Sequence, residues 1–293
     1  MENNFLASEY KPSRAEEAAF WVIPCPMEKS VSYGHGAANG PAAILAASQE
    51  LEAMENGIAP GQGGFYTTPP VNCDGPAEAV LTRVEAIAEK CLAQGSIPVL
   101  LGGEHTASLG ALRAVKFWAD KRHREVGIVQ FDAHADLRDE YRGNRLSHAS
   151  VMRRELEELG MPIVQFAVRD ISPEEVAVRE KYDITHYDAY FMARVGLPEQ
   201  PLPDTFPEYI YISFDVDAFD SSLMPATGTP SPGGINWREA HFILESCIRG
   251  HRVAGIDIME LAPIAGLHHA DFTAAKLTHL LMALAWQARG EKK

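Results

Sequence analysis

Short apolar runs alternate along this chain with longer amphipathic segments, and this alternation limits the folds that the chain can adopt. The runs are apolar throughout instead of at every second residue, which is typical of strands buried on both faces of a sheet. We therefore predict an α/β fold with a largely parallel sheet and helices on both faces. The predicted strands are Phe20–Pro24, Ile97–Leu101, Val126–Phe131, Pro162–Ala167, Tyr209–Phe214 and Val253–Met259.

Segments with apolar residues at about 3.6-residue spacing lie between the strands and predict helices. The clearest is Ala77–Gln94, which places Val80, Val84 and Ala88 on one face. The chain of 293 residues shows no internal repeat and no charged linker, so we expect one domain over residues 1–293. The other predicted helices are Ser108–Lys121, His148–Leu159, Trp237–Gly250 and Thr273–Arg289.

Composition excludes several classes of partner. The 40 acidic and 26 basic residues give a formal charge of −14, which argues against binding to nucleic acid or to an anionic membrane. No apolar stretch reaches the roughly 18 residues of a membrane span, and the N-terminus lacks the apolar core of a signal peptide. The 4 cysteines form no C-x-x-C motif and fit reduced, buried thiols, so a cytoplasmic location is expected.

Polar residues follow four of the predicted strands at the point where each strand ends. The carboxyl ends of parallel strands meet at one edge of the sheet, where ligands bind. Residues two positions apart share one side of an extended segment, so Asp132, His134 and Asp136 are expected to project together. The same argument applies to Asp215 and Asp217. The complete set expected in this crevice is His105, Asp132, His134, Asp136, Asp215, Asp217 and Glu260.

The imidazoles and carboxylates of this set are typical metal ligands. Taken singly, His105 also fits a turn or a helix cap, and Asp215 and Asp217 also fit caps or solvated acids. Their coincidence at three strand ends favours a metal site, because burying such groups without compensation is costly. Four carboxylates carry too much negative charge for one divalent ion, whereas two ions of the Mn²⁺ kind fit the ligand set.

Specific motifs are spread over most of the chain. They include GGEHT (102–106), FDAHADLRD (131–139), SHAS (147–150), SFDVDAFD (213–220), PATGTPSPGG (225–234) and GIDIMELAP (255–263). With these motifs the sequence resembles the ureohydrolase family of arginases and agmatinases. The resemblance implies a three-layer α/β/α fold around a single eight-stranded parallel sheet, and assembly as a homotrimer or homohexamer.

The resemblance also implies a binuclear centre with two Mn²⁺ ions that hydrolyses a guanidino compound to urea and an amine. His148 would then shuttle protons, Glu260 would face the substrate guanidinium, and Thr229 would place a hydroxyl near it. Each of the three also has a simpler interpretation, namely an exposed helix start, a salt-bridge partner and a turn residue. One ion would be held by His105, Asp132, Asp136 and Asp215, and the other by Asp132, His134, Asp215 and Asp217.

The segment around His148 bears on the identity of the substrate. Residues 143–150 resemble the agmatinase pattern, in which a serine precedes the histidine and no clamp for an α-carboxylate is present. The resemblance therefore favours a small cationic substrate, agmatine, hydrolysed to putrescine and urea. Ala149, Glu104 and residues 264–269 depart from the agmatinase pattern, and the last of these departures leaves the amine tail open.

Related substrates stay open at this point: guanidinobutyrate, guanidinopropionate, arginine and aminopropyl-agmatine. An acidic tail would require a basic residue at the pocket mouth, for which Arg138, Arg142 and Arg145 are candidates. An amine tail would suit Asp139 and Glu140 instead.

Two alternatives belong to other classes of protein. A non-catalytic metal-binding homologue is expected to lack a metal ligand or a catalytic side chain. A deacetylase of the related fold, which uses one zinc ion, is expected to lack ligands of the second metal. The sequence shows neither loss. The histidines whose roles the sequence leaves open near the expected crevice are His35, His268 and His269.

Overall fold

Eight parallel strands form one sheet in the computed structural model, which describes residues 4–197 and 199–290. Their order across the sheet is β2-β1-β3-β8-β7-β4-β5-β6. The single eight-stranded parallel sheet is thus confirmed. The strands are β1 (Phe20–Cys25), β2 (Phe65–Thr67), β3 (Ile97–Gly102), β4 (Val126–Phe131), β5 (Ile163–Phe166), β6 (Thr185–Tyr187), β7 (Tyr209–Asp215) and β8 (Arg252–Met259).

Helices cover both faces of this sheet, as the three-layer prediction requires. The side chains of α1, α7 and α8 join one apolar cluster, and those of α2, α3, α4 and α5 join a second cluster on the other face. The helices are α1 (Gly40–Ala47), α2 (Ala77–Ala93), α3 (Ser108–Asp120), α4 (Val151–Glu158), α5 (Pro173–Tyr182), α6 (Ala189–Val195), α7 (Trp237–Ile248) and α8 (His268–Gly290).

The strands bury both of their faces, which explains their continuous apolar sequences. In β1, Phe20 and Val22 belong to one cluster, while Trp21 and Ile23 belong to the cluster on the opposite face. Successive side chains of a strand point to opposite faces, so an apolar residue is needed at every position. The apolar runs therefore predict this sheet better than a period-two pattern would.

The six predicted strands are present, and their ends differ from the prediction by one residue at most. The sequence analysis missed β2 and β6, which are short strands at the two edges of the sheet. It also missed α1, α5 and α6. The long C-terminal helix α8 begins at His268 instead of Thr273, and a 3-10 turn, His148–Ser150, precedes α4 where one helix was predicted.

The chain order of the sheet brings the predicted site together. Strands β8 and β7 lie between β3 and β4, so the four strands that end in polar residues are direct neighbours. Ligands of open α/β sheets bind at such a change of strand order, beyond the carboxyl ends. All the predicted ligands therefore lie near the carboxyl ends of the four neighbouring strands β3, β8, β7 and β4.

The four cysteines are free thiols. Cys25, Cys91 and Cys247 are buried free thiols, and Cys73 is a half-buried one whose sulfur lies 3.9 Å from that of Cys25. In the described part of the chain, no helix has both the length and the apolar character that crossing a bilayer requires.

Candidate metal centre

The turn after β3 places His105 at the carboxyl end of this strand. A Cβ atom at Gly103 would lie 2.0 Å from the carbonyl oxygen of Met27, so only glycine permits this backbone approach. The following 3-10 turn, His105–Ala107, directs the imidazole inward, where it is 1% exposed. The Gly-Gly pair therefore explains how a histidine from this strand end reaches the interior.

The two ring nitrogens of His105 have different surroundings. Its Nε2 lies 2.8 Å from the hydroxyl of Ser213, which donates its own proton to Asp257 at 2.9 Å. Nε2 must therefore carry a proton and donate to Ser213, which leaves the lone pair of the neutral ring on Nδ1. This tautomer is the one required for Nδ1 to bind a metal ion.

Carboxylate oxygens surround Nδ1 of His105. The distances from Nδ1 are 3.0 Å to Asp136, 3.2 Å to Asp132 and 3.5 Å to Asp215. Nevertheless, Nδ1 is buried and has no aligned hydrogen-bond partner. A lone pair and several carboxylate oxygens that converge without hydrogen bonds between them fit a cation at their centre.

A second group of candidate ligands shares Asp132 with the first. Nδ1 of His134 lies 3.1 Å from Asp217 and 3.5 Å from the other oxygen of Asp132. The ligand atoms of Asp132, His134 and Asp217 lie within 4.8 Å of one another, as do those of His105, Asp132 and Asp136. One carboxylate therefore belongs to two adjacent groups, each able to hold an ion.

Local turns, not extended backbone, bring several of these side chains together. Asp132 accepts a hydrogen bond from the backbone of His134 at 2.7 Å, and Asp215 accepts one from Asp217 at 2.9 Å. Residues Val216–Ala218 form a 3-10 turn, and Asp136 has a left-handed φ of 54°. The prediction of one-sided extended segments was therefore wrong in its geometry, because side-chain-to-backbone turns set the spacing.

The carboxylates of the centre are short of positive charge. Burial, followed by repulsion from Asp132, raises the pKa of Asp136 to about 7, and burial with Asp217 and Asp132 nearby raises the pKa of Asp215 well above its usual range. Burial acts on Asp132 as well, but the rings of His105 and His134, if they are protonated in the metal-free protein, outweigh it and lower that pKa. Divalent cations would supply the missing positive charge, so the donor set fits metal ions.

Glu260 lies at the end of β8, directly beside this centre. Its Oε1 accepts a hydrogen bond from the backbone of His105 at 2.7 Å, and its own backbone N–H donates to Gly103 at 2.8 Å. It has a left-handed φ of 65°, and burial raises its pKa to about 8. The carboxylate is therefore rigidly held, with Oε2 near Gly228.

His148 and Thr229 share one small cavity with the metal-ligand candidates. Burial lowers the pKa of His148, which favours a neutral ring. Above the cavity, the backbone N–H of Gly34 donates to Gly228 at 3.0 Å, and a Cβ at Gly34 would lie 2.7 Å from the same oxygen. The cavity is lined by Val31, Ser32, Tyr33, His105, His134, Asp136, His148, Asp215, Asp217, Gly228, Thr229 and Glu260.

A buried hydrogen-bonded chain that the sequence analysis missed supports Asp132. The amide of Gln130 donates to Asp132 at 2.9 Å and accepts from Gln165 at 2.6 Å. Gln165 in turn accepts from Arg179 at 2.8 Å, and Arg179 pairs with Asp188. The available signal was a polar residue inside an apolar strand, which also marks Ser213 and Asp257.

Other candidate residues lie outside the cavity lining. The ring of His35 contacts Glu28 at 3.1 Å, while His268 and His269 form the start of α8. Asp139 pairs with Arg154 at 2.6 Å and with Arg145 at 3.2 Å, so its charge is already compensated. None of these residues belongs to the described lining.

Comparisons with known proteins agree with this geometry. The family model described as the arginase family matches residues 18–284. The N(1)-aminopropylagmatine ureohydrolase of Thermus thermophilus is 37% identical over 281 residues, which cover 94% of this chain and 92% of that protein. The agmatinase of Pyrococcus horikoshii is 33% identical over 283 residues, covering 92% and 93%.

A solved structure extends the agreement to the fold. The agmatine ureohydrolase of Thermoplasma volcanium superposes with a TM-score of 0.87 at 28% identity, covering 99% of this chain and 97% of that one. The family match spans most of the chain, and the two relatives named above are more than 30% identical to it over nearly their full lengths. The chain therefore belongs to the arginase family, the ureohydrolases, which hydrolyse guanidino compounds to urea.

Proposed function

We propose that this protein uses a pair of Mn²⁺ ions to hydrolyse the guanidino group of an agmatine-type cation, either agmatine itself or N1-aminopropylagmatine. The products are urea and the corresponding amine. One observation carries the proposal: two groups of metal-ligand candidates share Asp132, and their other members line the same cavity as Glu260 and His148. A one-zinc deacetylase would not need the second group.

The proposed ligands fit manganese in their chemistry. Carboxylates and imidazoles without thiolates suit Mn²⁺, and the orphaned Nδ1 of His105 supports an ion beside that ring. When bound, the metal pair supplies a water activated for attack at neutral pH. One ion would be held by His105, Asp132, Asp136 and Asp215, and the other by Asp132, His134, Asp215 and Asp217.

Glu260 is proposed to bind the substrate guanidinium. A planar guanidinium forms paired, charge-assisted hydrogen bonds with a carboxylate. The backbone of His105 fixes one oxygen of Glu260, so the carboxylate loses little freedom when the substrate binds. Thr229 lines the same cavity and is proposed to place its hydroxyl near the bound group.

His148 is proposed to transfer the proton that the leaving amine needs. An amine leaves the tetrahedral carbon readily only when it is protonated. His148 lines the cavity, and burial lowers its pKa, so a neutral ring is available to take up a proton and pass it to the amine. Its position on the wall, apart from the proposed ligands, leaves it available for this step.

A positively charged tail is favoured over an acidic one. Among the described residues that line the cavity, none is Lys or Arg. The three arginines considered for an acidic tail already have partners: Arg145 pairs with Asp139 and Glu157, Arg138 lies 3.9 Å from Glu175, and Arg142 lies over the ring of Tyr141. Four curated relatives between 35% and 37% identity are named as aminopropylagmatine ureohydrolases, which supports the longer cation.

A urea-release assay of the manganese-loaded protein tests the proposal. The substrates to compare are agmatine, N1-aminopropylagmatine, arginine, guanidinobutyrate and guanidinopropionate. We expect the highest kcat/KM for one of the first two. Preference for an acid-tailed compound would overturn the substrate proposal, and urea release from none of them would overturn the reaction.

We also propose that the chain assembles as a homotrimer or homohexamer. Helix α6 exposes Tyr190, Phe191 and Val195, and clustered exposed apolar side chains are typical of protein interfaces. Light scattering coupled to size exclusion would measure the assembled mass, and a monomer would contradict the proposal.

A single ureohydrolase domain over residues 1–293 and a cytoplasmic location are proposed as well. The continuous sheet and the family match over residues 18–284 support the first, and the free thiols support the second. One cooperative unfolding transition and cell fractionation, respectively, would test them.

A further inference from the structure

A hydroxyl group outside the cavity lining contacts the ring of His148. Oγ of Ser30 lies 3.2 Å from Nδ1 of His148 and also accepts a hydrogen bond from the backbone N–H of that residue at 3.0 Å. Ser30 does not line the cavity, although the next three residues of its loop do. The direct contact of the Ser30 side chain with a residue of the cavity lining is therefore the one with His148.

Glu104 fixes the position of Ser30. This carboxylate is fully buried at 0% exposure. Its Oε2 accepts the backbone N–H groups of Lys29 and Ser30, each at 2.5 Å, and its Oε1 contacts the hydroxyl of Ser30 at 3.0 Å. The backbone of Glu104 also donates to Met27 at 2.8 Å. The loop segment 27–30 is thus attached to Glu104 by four hydrogen bonds.

The number of protons in this arrangement determines the tautomer of His148. A carboxylate only accepts hydrogen bonds, and a serine hydroxyl has one proton to donate. Ser30 gives that proton to Glu104, so toward His148 its oxygen acts only as an acceptor. Nδ1 of His148 must therefore carry a proton, and in the neutral ring the lone pair lies on Nε2.

We propose that Ser30, held by Glu104, is a positioning residue that keeps the proton of neutral His148 on Nδ1 and leaves Nε2 to exchange protons in the cavity. The proposal rests on the proposed function, which assigns proton transfer to His148. In other catalytic histidines a carboxylate orients the ring by direct contact. Here the hydroxyl of Ser30 lies between the carboxylate of Glu104 and the ring of His148.

Neutron diffraction from the manganese-loaded enzyme at about pH 9, where the imidazole is neutral, tests the tautomer directly. We expect deuterium on Nδ1 of His148 and on the Ser30 hydroxyl, the latter directed toward Glu104. Deuterium on Nε2 would overturn the proposal. This measurement does not depend on the substrate or on turnover.

Kinetics of Ser30 variants test the consequence for catalysis. Ser30→Ala is expected to lower kcat roughly 10-fold to 100-fold, with KM and manganese content unchanged, because ring orientation matters only for proton transfer. Ser30→Thr keeps the hydroxyl and is expected to restore kcat. The matched control is Ser147→Ala, which removes a buried hydroxyl next to His148 that contacts Ser150 instead of the ring.

Glu104→Gln gives a sharper test. The amide oxygen must accept the two backbone N–H groups of the loop, so the NH2 group takes the place of Oε1 and donates to Ser30. Ser30 then donates to Nδ1, the ring proton moves to Nε2, and kcat falls as in Ser30→Ala. Full kcat in Glu104→Gln with intact manganese content would overturn the proposal.

His148→Ala distinguishes the proton-transfer role of His148 from the positioning role of Ser30. If this variant keeps wild-type kcat, the proton-transfer role within the proposed function is wrong. If it loses kcat while Ser30→Ala keeps it, His148 acts without Ser30, and only the positioning proposal is wrong.

Discussion

Nε2 of His105 lies 2.8 Å from the hydroxyl of Ser213, and this contact turns the lone pair of the imidazole toward the carboxylates of the centre. Ser213 is held in turn by Asp257, which also accepts hydrogen bonds from Tyr211 at 2.8 Å and from the backbone of Phe214 at 3.2 Å. The orientation of His105, a candidate metal ligand, therefore depends on a buried acid two contacts away.

Ser213→Ala is expected to weaken manganese binding roughly 10-fold to 100-fold, because the tautomer and angle of His105 lose their support. Isothermal titration of the metal-free protein with manganese measures this effect. Ser96→Ala removes another buried serine hydroxyl, which donates to the carbonyl of Ala18 near the amino ends of β1 and β3, and serves as the control. Equal affinities in the two variants would show that Ser213 does not orient the ligand.

Gln130→Leu is expected to weaken manganese binding by roughly 10-fold at similar side-chain volume, because Asp132 loses the amide that holds one of its oxygens. The same titration measures the loss. Gln49→Leu, which removes a half-buried amide bonded to Asn4 and Leu45, is the matched control. Unchanged affinity in Gln130→Leu would mean that Asp132 is oriented for metal binding without the Gln130 amide.

Asp132→Ala is expected to abolish the binding of both ions, since Asp132 belongs to both groups of ligand candidates. Asp217→Asn is expected to weaken only the group that contains His134. Metal analysis after gel filtration gives the number of ions per chain. Two ions per chain in the Asp132 variant would refute the shared-ligand assignment.

The gain in stability from manganese is expected to increase with pH. Burial holds the pKa of Asp136 at about 7 and that of Glu260 at about 8. A carboxyl whose pKa rises on folding stabilises the fold below its unfolded pKa and loses that contribution as the pH rises through its folded pKa. The metal-free protein should therefore lose stability from about pH 4 to about pH 8.

Scanning calorimetry with and without manganese checks this dependence. Saturating metal is expected to raise Tm by about 5 °C or more at pH near 8, and by less at pH near 6, where protons compete for the carboxylates. A larger gain at the lower pH would contradict the charge balance described for the centre.

The sheet and the convergence of the candidate ligands were largely predictable because both leave strong local signals. Apolar runs such as Val126–Phe131 read directly as buried strands, and Asp132 with its neighbours interrupts an otherwise apolar context. The edge strands β2 and β6 were missed because three residues carry no periodicity and, except for Phe65, they are not fully buried. Their pairing depends on the tertiary context.

The support around the ligands was not predictable to the same degree. Gln165 contacts Gln130, and Arg179 contacts Gln165, only when β4, β5 and α5 are packed together. No local sequence pattern predicts such contacts. Ser30 reaches His148 across 118 positions of the chain. The departure at Glu104 was visible in the sequence, but its contacts with the loop required the fold.

The left-handed backbone at Asp136 and Glu260 has a consequence for engineering this protein. For residues other than glycine, the left-handed conformation costs about 1 kcal/mol or more of conformational free energy. Glycine at either position would therefore relax the backbone. The same exchange would remove a carboxylate from the cavity. Heat tolerance and turnover are therefore opposed at these two positions, and variants selected for robustness alone would be expected to lose the reaction there first.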